Sequence, residues 1–236
     1  MLFDLFSAFG SGDPVTIGNT IIVFLFYLIA ILLSLSVHES AHGFVAYKCG
    51  DSTAKNLGRI TMNPIKHIDP FGFLCMMVAG FGWAKPVPVN SRNFRKPRRD
   101  IALVSLAGPL SNLLVAVIFV AIWRFTCIPI AESIIKASAE SNVFMYTLLS
   151  SLQRFISVMI TMNVSLAIFN LIPIPPLDGS KILYMLLPPK VYFKIAPYER
   201  YLHIVLIVLL ATNIITPVIS FISGKVVSLL LSLFFW

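Results

Sequence analysis

Residues 37–42 read VHESAH and contain the pattern HExxH, in which two histidines and one glutamate could do metal-dependent chemistry. On a helix, residues four apart share one face and lie about 6 Å apart along the axis, so His38 and His42 could bind one Zn²⁺. A glutamate beside the first histidine can reach a water at the metal and take its proton. Zinc lowers the pKa of such a water towards about 7. The motif therefore predicts a zinc site with Glu39 as general base.

A catalytic zinc of this kind has three protein ligands and one open position. Asp178 is the candidate for the third ligand, because it follows the proline-rich run NLIPIPPL and precedes Gly179, where the chain can approach a metal closely. The alternative is that Asp178 only caps a helix that begins at Gly179. The remaining histidines, His67 in a polar loop and His203 at the start of an apolar run, are predicted to be surface residues.

The elements that carry these residues are predicted to be membrane helices. Of the 236 residues, 58% are hydrophobic and 12% are charged, about half the charge of an ordinary soluble domain. Several apolar runs approach or exceed the ~20 residues that cross a bilayer as a helix. The composition predicts an all-α, multi-pass membrane protein. The three cysteines lack metal-binding spacing and are predicted to be structural thiols.

Hydropathy and proline positions divide the chain further. The predicted spans are 16–47, 101–123, 155–174 and 201–216, with a short helix at about 179–187. A loop followed by an interfacial helix is predicted at 126–154. The sequence leaves open whether the apolar tail 218–236 crosses the membrane. We therefore predict one membrane-embedded protease domain over 1–236, with its core at about 16–187 and further membrane segments at about 201–236.

A shorter apolar run and a proline-rich segment precede the second span. Residues 71–83 are too few to cross a bilayer, which favours a re-entrant or interfacial segment. The sequence Val-Pro-Val-Asn at 87–90 cannot form a helix and is predicted to be an extended edge-type strand. The predicted fold is thus a helical bundle with a re-entrant segment and a short β element near the active site.

The basic residues predict an orientation. The net charge is +8, and ten of the 18 Lys and Arg residues lie in 48–100, with four more in 181–200. Basic loops between apolar spans are typical of cytoplasmic loops beside anionic lipid, so we expect contact with the lipid bilayer and no nucleic-acid binding. With these two segments inside, the HExxH motif and Asp178 both lie near the cytoplasmic face. The expected location is the cell membrane.

Five segments resemble, in chain order, the signatures of the site-2 proteases, which are intramembrane zinc metalloproteases. They are VHESAHGFVAYKCGD, GRITMNPIKHIDPFG, FGWAKPVPVN, AGPLSN and FNLIPIPPLDGSKIL, between about residues 37 and 187. The resemblance implies that His38, His42 and Asp178 bind one zinc per chain and that Glu39 is the catalytic base. It also implies hydrolysis of peptide bonds in or near the transmembrane segments of membrane proteins.

The resemblance bears on substrate binding and domain organisation as well. Asn63 and Asn170 fall at characteristic asparagines of the family's motifs, which implies that they position substrate or satisfy unwound backbone. Many site-2 proteases carry a PDZ or nucleotide-binding regulatory domain, and no stretch of this chain is long and polar enough to hold one. The chain therefore resembles the compact branch of the family.

The segment 87–90 is the candidate for holding substrate open. A helical substrate hides its carbonyls in hydrogen bonds, and once unwound in a bilayer it needs new backbone partners. An exposed strand edge supplies such partners by strand addition. Val87 and Val89 are the predicted substrate-binding residues of this edge. The alternative is a rigid surface turn that joins the apolar run to the basic loop.

Two other classes of function fit part of the pattern. In a zinc or proton transporter, His38, His42 and Asp178 would form the transport site, but a base beside the first ligand would have no use. A non-catalytic membrane scaffold could keep the motif for stability, although the intact Glu39 argues against it. Cleavage of a membrane-segment substrate, with and without a chelator, distinguishes the protease from both.

Overall fold

The computed structural model describes residues 2–79, 82–130 and 143–234, and these are mostly helical. The helices are α1 Leu2–Ser11, α2 Pro14–Lys48, α3 Thr53–Asn56, α4 Pro70–Ala79, α5 Pro97–Ile122, α6 Val143–Asn170, α7 Asp178–Leu186, α8 Pro189–Ile195, α9 Glu199–Ala211 and α10 Ile215–Ser232. Within the described ranges no β-strand forms. An isolated antiparallel bridge joins Ile68 to Ala84, and residues 85–90 have no regular secondary structure.

The first long helix, α2, carries the HExxH motif near its C-terminal end. Its N-cap is Asp13, whose carboxylate accepts hydrogen bonds from the backbone N–H groups of Val15 and Thr16, and Pro14 occupies the first turn. At 35 residues the helix is about 52 Å long, more than the ~30 Å of a hydrocarbon core. The predicted helix over 16–47 is confirmed.

The second and third long helices differ in part from the prediction. The apolar helical stretch that contains α5 extends over 97–130 and includes the predicted span 101–123. The helix α6 joins much of the predicted interfacial segment to the third span, and residues 131–142 of that segment lie outside the described residues. This helix ends at Asn170, not at 174, because Pro173 lacks an N–H and disfavours helical backbone at the residue before it.

The predicted fourth span over 201–216 is wrong. Its helix, α9, has only 13 residues and ends at Ala211, and Asn213 in the following turn has a φ of 60°. The next helix, α10, is 18 residues long and apolar enough to span a membrane. Pro217 lies in the first turn of α10, where its missing N–H has no helical partner to lose, so it begins a helix rather than ending one.

Among the described residues, four helices are long and apolar enough to cross a membrane, namely 14–48, 97–130, 147–170 and 215–232. The helices α2, α5 and α6 pack on one another and form the centre of the bundle, α7 packs on α5, and α10 packs mainly on α6. Many large apolar side chains on these helices are exposed on the outside, as expected for a surface in contact with lipid. The described cysteines are all free thiols.

Candidate metal centre

Three potential metal ligands from two distant parts of the chain meet in the interior. The Nε2 atoms of His38 and His42 are 3.0 Å apart, and the Asp178 Oδ2 is 3.2 Å from the first and 3.1 Å from the second. All three side chains are largely buried. Among the described residues, no other group of three or more His, Cys, Asp or Glu side chains is placed to hold a metal ion.

Each imidazole is held from behind by its other ring nitrogen. The His38 Nδ1 lies 2.7 Å from the Asn112 Oδ1, and the His42 Nδ1 lies 2.6 Å from the Val104 carbonyl oxygen. A carbonyl oxygen only accepts, so these contacts place the ring proton on Nδ1 of each histidine. The Nε2 lone pairs then face each other and the aspartate, the arrangement that a metal-binding histidine pair requires.

One stripe of α5 forms the wall against which both imidazoles lie. Val104, Gly108 and Asn112 are spaced four residues apart, so they share one face of the helix. A Cβ placed on Gly108 would come within 2.5 Å of the His42 Nε2 and 2.6 Å of the His38 Nε2. Only a glycine at this position leaves room for the two rings.

Asp178 is the first residue of α7, but it does not cap that helix. The N-cap is Leu177, and no side-chain capping hydrogen bond is made there. The Asp178 Oδ1 lies 3.3 Å from the Lys181 ammonium, while Oδ2 faces the histidines. The Lys181 ammonium is a neighbouring positive charge that favours the ionised form of this carboxylate. The carboxylate therefore stays ionised at neutral pH.

The Glu39 side chain is half-buried beside the three potential metal ligands, and the segment 87–90 holds it in place. Its Oε2 accepts a hydrogen bond from the Val87 N–H at 2.9 Å. The other end of the segment is held by Asp51, which is fully buried and accepts hydrogen bonds from the Asn90 N–H and the Asn93 side chain, both at 2.7 Å. The segment 87–90 therefore lies against the C-terminal end of the motif helix.

The pKa of Asp51 is lowered in the folded chain. Burial would raise it, but hydrogen bonds from Thr53, Asn90 and Asn93 outweigh that effect. Asp51 follows α2 by three residues, so it connects the end of the motif helix to the loop at 90–93.

The other predicted residues lie outside this centre. Asn63 is exposed and caps a short 3₁₀ turn, and the Asn170 amide donates to the Leu166 carbonyl at the end of α6. His203 is exposed, as predicted. The surface assignment of His67 is wrong: it is 2% exposed, and its Nε2 lies 2.8 Å from the Thr61 carbonyl oxygen.

The donor set fits zinc. Two imidazole nitrogens and one carboxylate oxygen are common zinc ligands, and tetrahedral bonds of 2.0–2.1 Å place ligand atoms about 3.3 Å apart. The three observed separations, 3.0 to 3.2 Å, are close to that edge length. Zinc also needs space beside its ligands and free lone pairs on them; Gly108 leaves that space, and the two Nε2 atoms have those lone pairs.

Comparison with known proteins gives the family. The model of peptidase family M50 matches residues 26–216, most of the chain. The chain belongs to peptidase family M50. Among its relatives, YwhC of Bacillus subtilis (strain 168) is named as a zinc metalloprotease and is 44% identical over 187 residues, which cover 79% of this chain and 80% of the relative. Rip2 of Mycolicibacterium smegmatis has the same description and is 28% identical over 195 residues, or 80% of this chain and 68% of the relative. No solved structure matches the chain.

This membership confirms the resemblance to site-2 proteases, the enzyme class and the cofactor. The M50 chain is a zinc metalloprotease that uses Zn²⁺, and its apolar helices make it an integral membrane protein. Three residues of the M50 centre were given no role by the sequence: Asn112, Asn163 and Asp51. The signal for the two asparagines was their position inside otherwise apolar spans, where a polar side chain needs a partner.

Proposed function

We propose that this M50 peptidase cleaves peptide bonds in or near the transmembrane segments of other membrane proteins, with a catalytic centre near the cytoplasmic face of the cell membrane. The observation that carries the proposal is the triangle of potential ligands from His38, His42 and Asp178, with Glu39 beside it. The two histidines and Glu39 are on α2, which is long and apolar enough to span a bilayer, and Asp178 is on the short helix α7. A metal site and a base at this place have access to substrates that themselves lie in the membrane.

His38, His42 and Asp178 would hold the zinc, and Glu39 would be the general base. When bound there, zinc supplies Lewis acidity, which lowers the pKa of a water to about 7 and polarises the carbonyl under attack. Glu39 accepts the proton of the attacking water and delivers it to the departing amine nitrogen. The Val87 N–H holds one oxygen of the Glu39 carboxylate, which fixes its orientation and leaves the other oxygen for the proton.

The segment 87–90 would bind the unwound substrate through one backbone position. Pro86 and Pro88 have no N–H, and the N–H groups of Val87 and Asn90 are used by Glu39 and Asp51. Within the described residues the Val89 N–H has no hydrogen-bond partner, and the side chain is 40% exposed. Val89 is therefore the position at which a substrate strand could pair.

The helix α4 would be the re-entrant or interfacial segment. It has ten residues, about 15 Å of helix, which is half of a hydrocarbon core. Phe71, Leu74 and Val78 are 75%, 58% and 49% exposed, so a continuous apolar face points away from the protein. Lipid would cover that face, and α4 precedes in the sequence the segment 87–90, which contacts Glu39. Asn63 and Asn170 would contact substrate through the side-chain groups that their local hydrogen bonds leave free, the Asn63 Nδ2 and the Asn170 Oδ1.

The test uses purified protein in lipid nanodiscs and a single-span membrane protein as substrate, with cleavage products mapped by mass spectrometry. The wild-type chain should cut inside or beside the span, and a chelator should stop cleavage until zinc is restored. Glu39→Gln should keep its zinc and lose turnover by at least about 100-fold, the lower range for removal of a general base. A transporter would instead move zinc or protons across the bilayer, and a scaffold would cut nothing.

A further inference from the structure

The spans α2, α5 and α6 share a buried polar cluster that lies directly behind His38. Asn112 and Asn163 are fully buried, and the Asn112 Nδ2 donates to the Asn163 Oδ1 at 2.8 Å. The Asn163 Nδ2 donates to the Ser34 hydroxyl at 2.8 Å and to the Met159 carbonyl at 2.9 Å. Such groups are costly in a bilayer unless they are fully paired or have a function.

Main-chain carbonyls fix the direction of every hydrogen bond in this cluster. The Met159 carbonyl only accepts, so it faces the Asn163 NH₂ group, and the Asn163 oxygen is turned towards Asn112. The Asn112 NH₂ group faces that oxygen and the Ser34 carbonyl at 3.3 Å. The Asn112 oxygen is then left for His38. Reversal of either amide would set oxygen against oxygen in the dry interior of the bundle.

We propose that Asn112 and Asn163 form a hydrogen-bond relay that positions His38 for metal binding by keeping its proton on Nδ1. The inference rests on the proposed role of His38 as a ligand. Asn163 touches none of the three metal-ligand candidates, yet its Oδ1, which is closer to the Asn112 amide than the Ser34 carbonyl is, helps to fix the direction of that amide, and the amide fixes the histidine. Both asparagines are positioning residues.

The relay makes the two histidines unequal. His42 is held by the main-chain carbonyl of Val104, which no side-chain substitution removes. His38 depends on a side-chain amide and, through it, on a second side chain from another span. Metal affinity should therefore respond to a substitution in α6, a helix that supplies none of the candidate ligands.

The experiment measures the zinc dissociation constant of detergent-solubilised protein by competition with a chelator, and the visible spectrum of the Co²⁺-substituted protein. Asn112→Leu should weaken zinc binding by about 10 to 100-fold, the usual loss when a histidine ligand loses its outer partner. Asn163→Leu should weaken it by at least about threefold and shift the Co²⁺ bands, although it removes no contact to a ligand. Leucine is favourable in a membrane span, so both variants should still insert into the membrane.

Ser34→Ala is the matched control. It removes the hydroxyl that Asn163 contacts but leaves the Ser34 and Met159 carbonyls that set the direction of the relay, so its zinc affinity should stay within twofold of wild type. A zinc affinity and a Co²⁺ spectrum equal to wild type in Asn163→Leu would overturn the relay. A zinc affinity equal to wild type in Asn112→Leu would show that Asn112 does not position His38 either. His38→Ala separates the two proposals: if it binds zinc as well as wild type does, the ligand assignment itself fails.

Discussion

Gly108→Ala should destroy the metal centre by steric displacement alone. The added Cβ would lie 2.5 Å from the His42 Nε2 and 2.6 Å from the His38 Nε2, against about 3.4 Å for ordinary contact, so each ring has to retreat by about 0.9 Å. Ligand distances in a working metal site vary by only about 0.2 Å. The substitution therefore requires a shift several times larger than the site tolerates.

The protein can relieve this clash neither by rotating the two imidazoles nor by moving α5 away. The rings cannot turn away, because their Nδ1 atoms are held by Asn112 and Val104 at 2.7 and 2.6 Å. The whole of α5 cannot withdraw, because those two partners lie on the same stripe of α5 as Gly108 and would move with it. We expect the zinc dissociation constant to rise at least about 100-fold, which corresponds to about 2.8 kcal/mol.

The assay is chelator competition on detergent-solubilised protein, with bound zinc determined by mass spectrometry. Gly18→Ala is the matched control, since it is also a helix glycine in a span and an added Cβ would meet nothing within 4 Å. It should bind zinc as wild type does and be at least as stable, because alanine favours helix more than glycine does. Zinc affinity within threefold of wild type in Gly108→Ala would refute the reasoning.

Four further outcomes are expected. Val89→Pro should lower turnover severely with zinc content unchanged, whereas Val89→Ala, which keeps the N–H, should lower it much less; equal turnover in both would remove this edge from substrate binding. Asp178→Ala should lose most of its zinc, and retention of full affinity would exclude Asp178 as a ligand. The pKa of Asp51 is lowered on folding, so its contribution to stability is fully present above its usual pKa of about 3.8. That contribution is lost as the pH falls from there through the lower, folded pKa, and pepsin cleavage within 85–96 should accelerate over this range. Asp51→Asn should show fast cleavage at pH 5 as well, and a wild-type rate there would contradict this role. An impermeant thiol reagent on intact cells should label Ser11→Cys but not Arg92→Cys, and the reverse pattern would invert the topology.

The sequence by itself determined the parts of this protein that depend on local spacing and on solvent. HExxH needs only the helical repeat to bring two histidines together, and charge-free runs such as residues 14–37 need only the bilayer to become helices. The proline run before Asp178 predicted that the third span breaks and that a short helix follows, because proline removes a backbone donor wherever it occurs. The end of the span was placed at 174, whereas the helix ends at Asn170. The fourth span was misplaced because the apolar runs on the two sides of Thr212 and Asn213 were joined in one helix, whereas the backbone turn at Asn213 separates α9 from α10.

The tertiary structure decided everything that depends on which faces meet. Packing between distant segments buries His67, turns the Asp178 carboxylate towards the two histidines, and brings Gly108 close to both imidazoles. The link from Asn163 to His38 joins residues on three spans, and no single span contains a pattern that reveals it. A sequence records which side chains can form hydrogen bonds, but partners that lie far apart along the chain are chosen only when the helices pack.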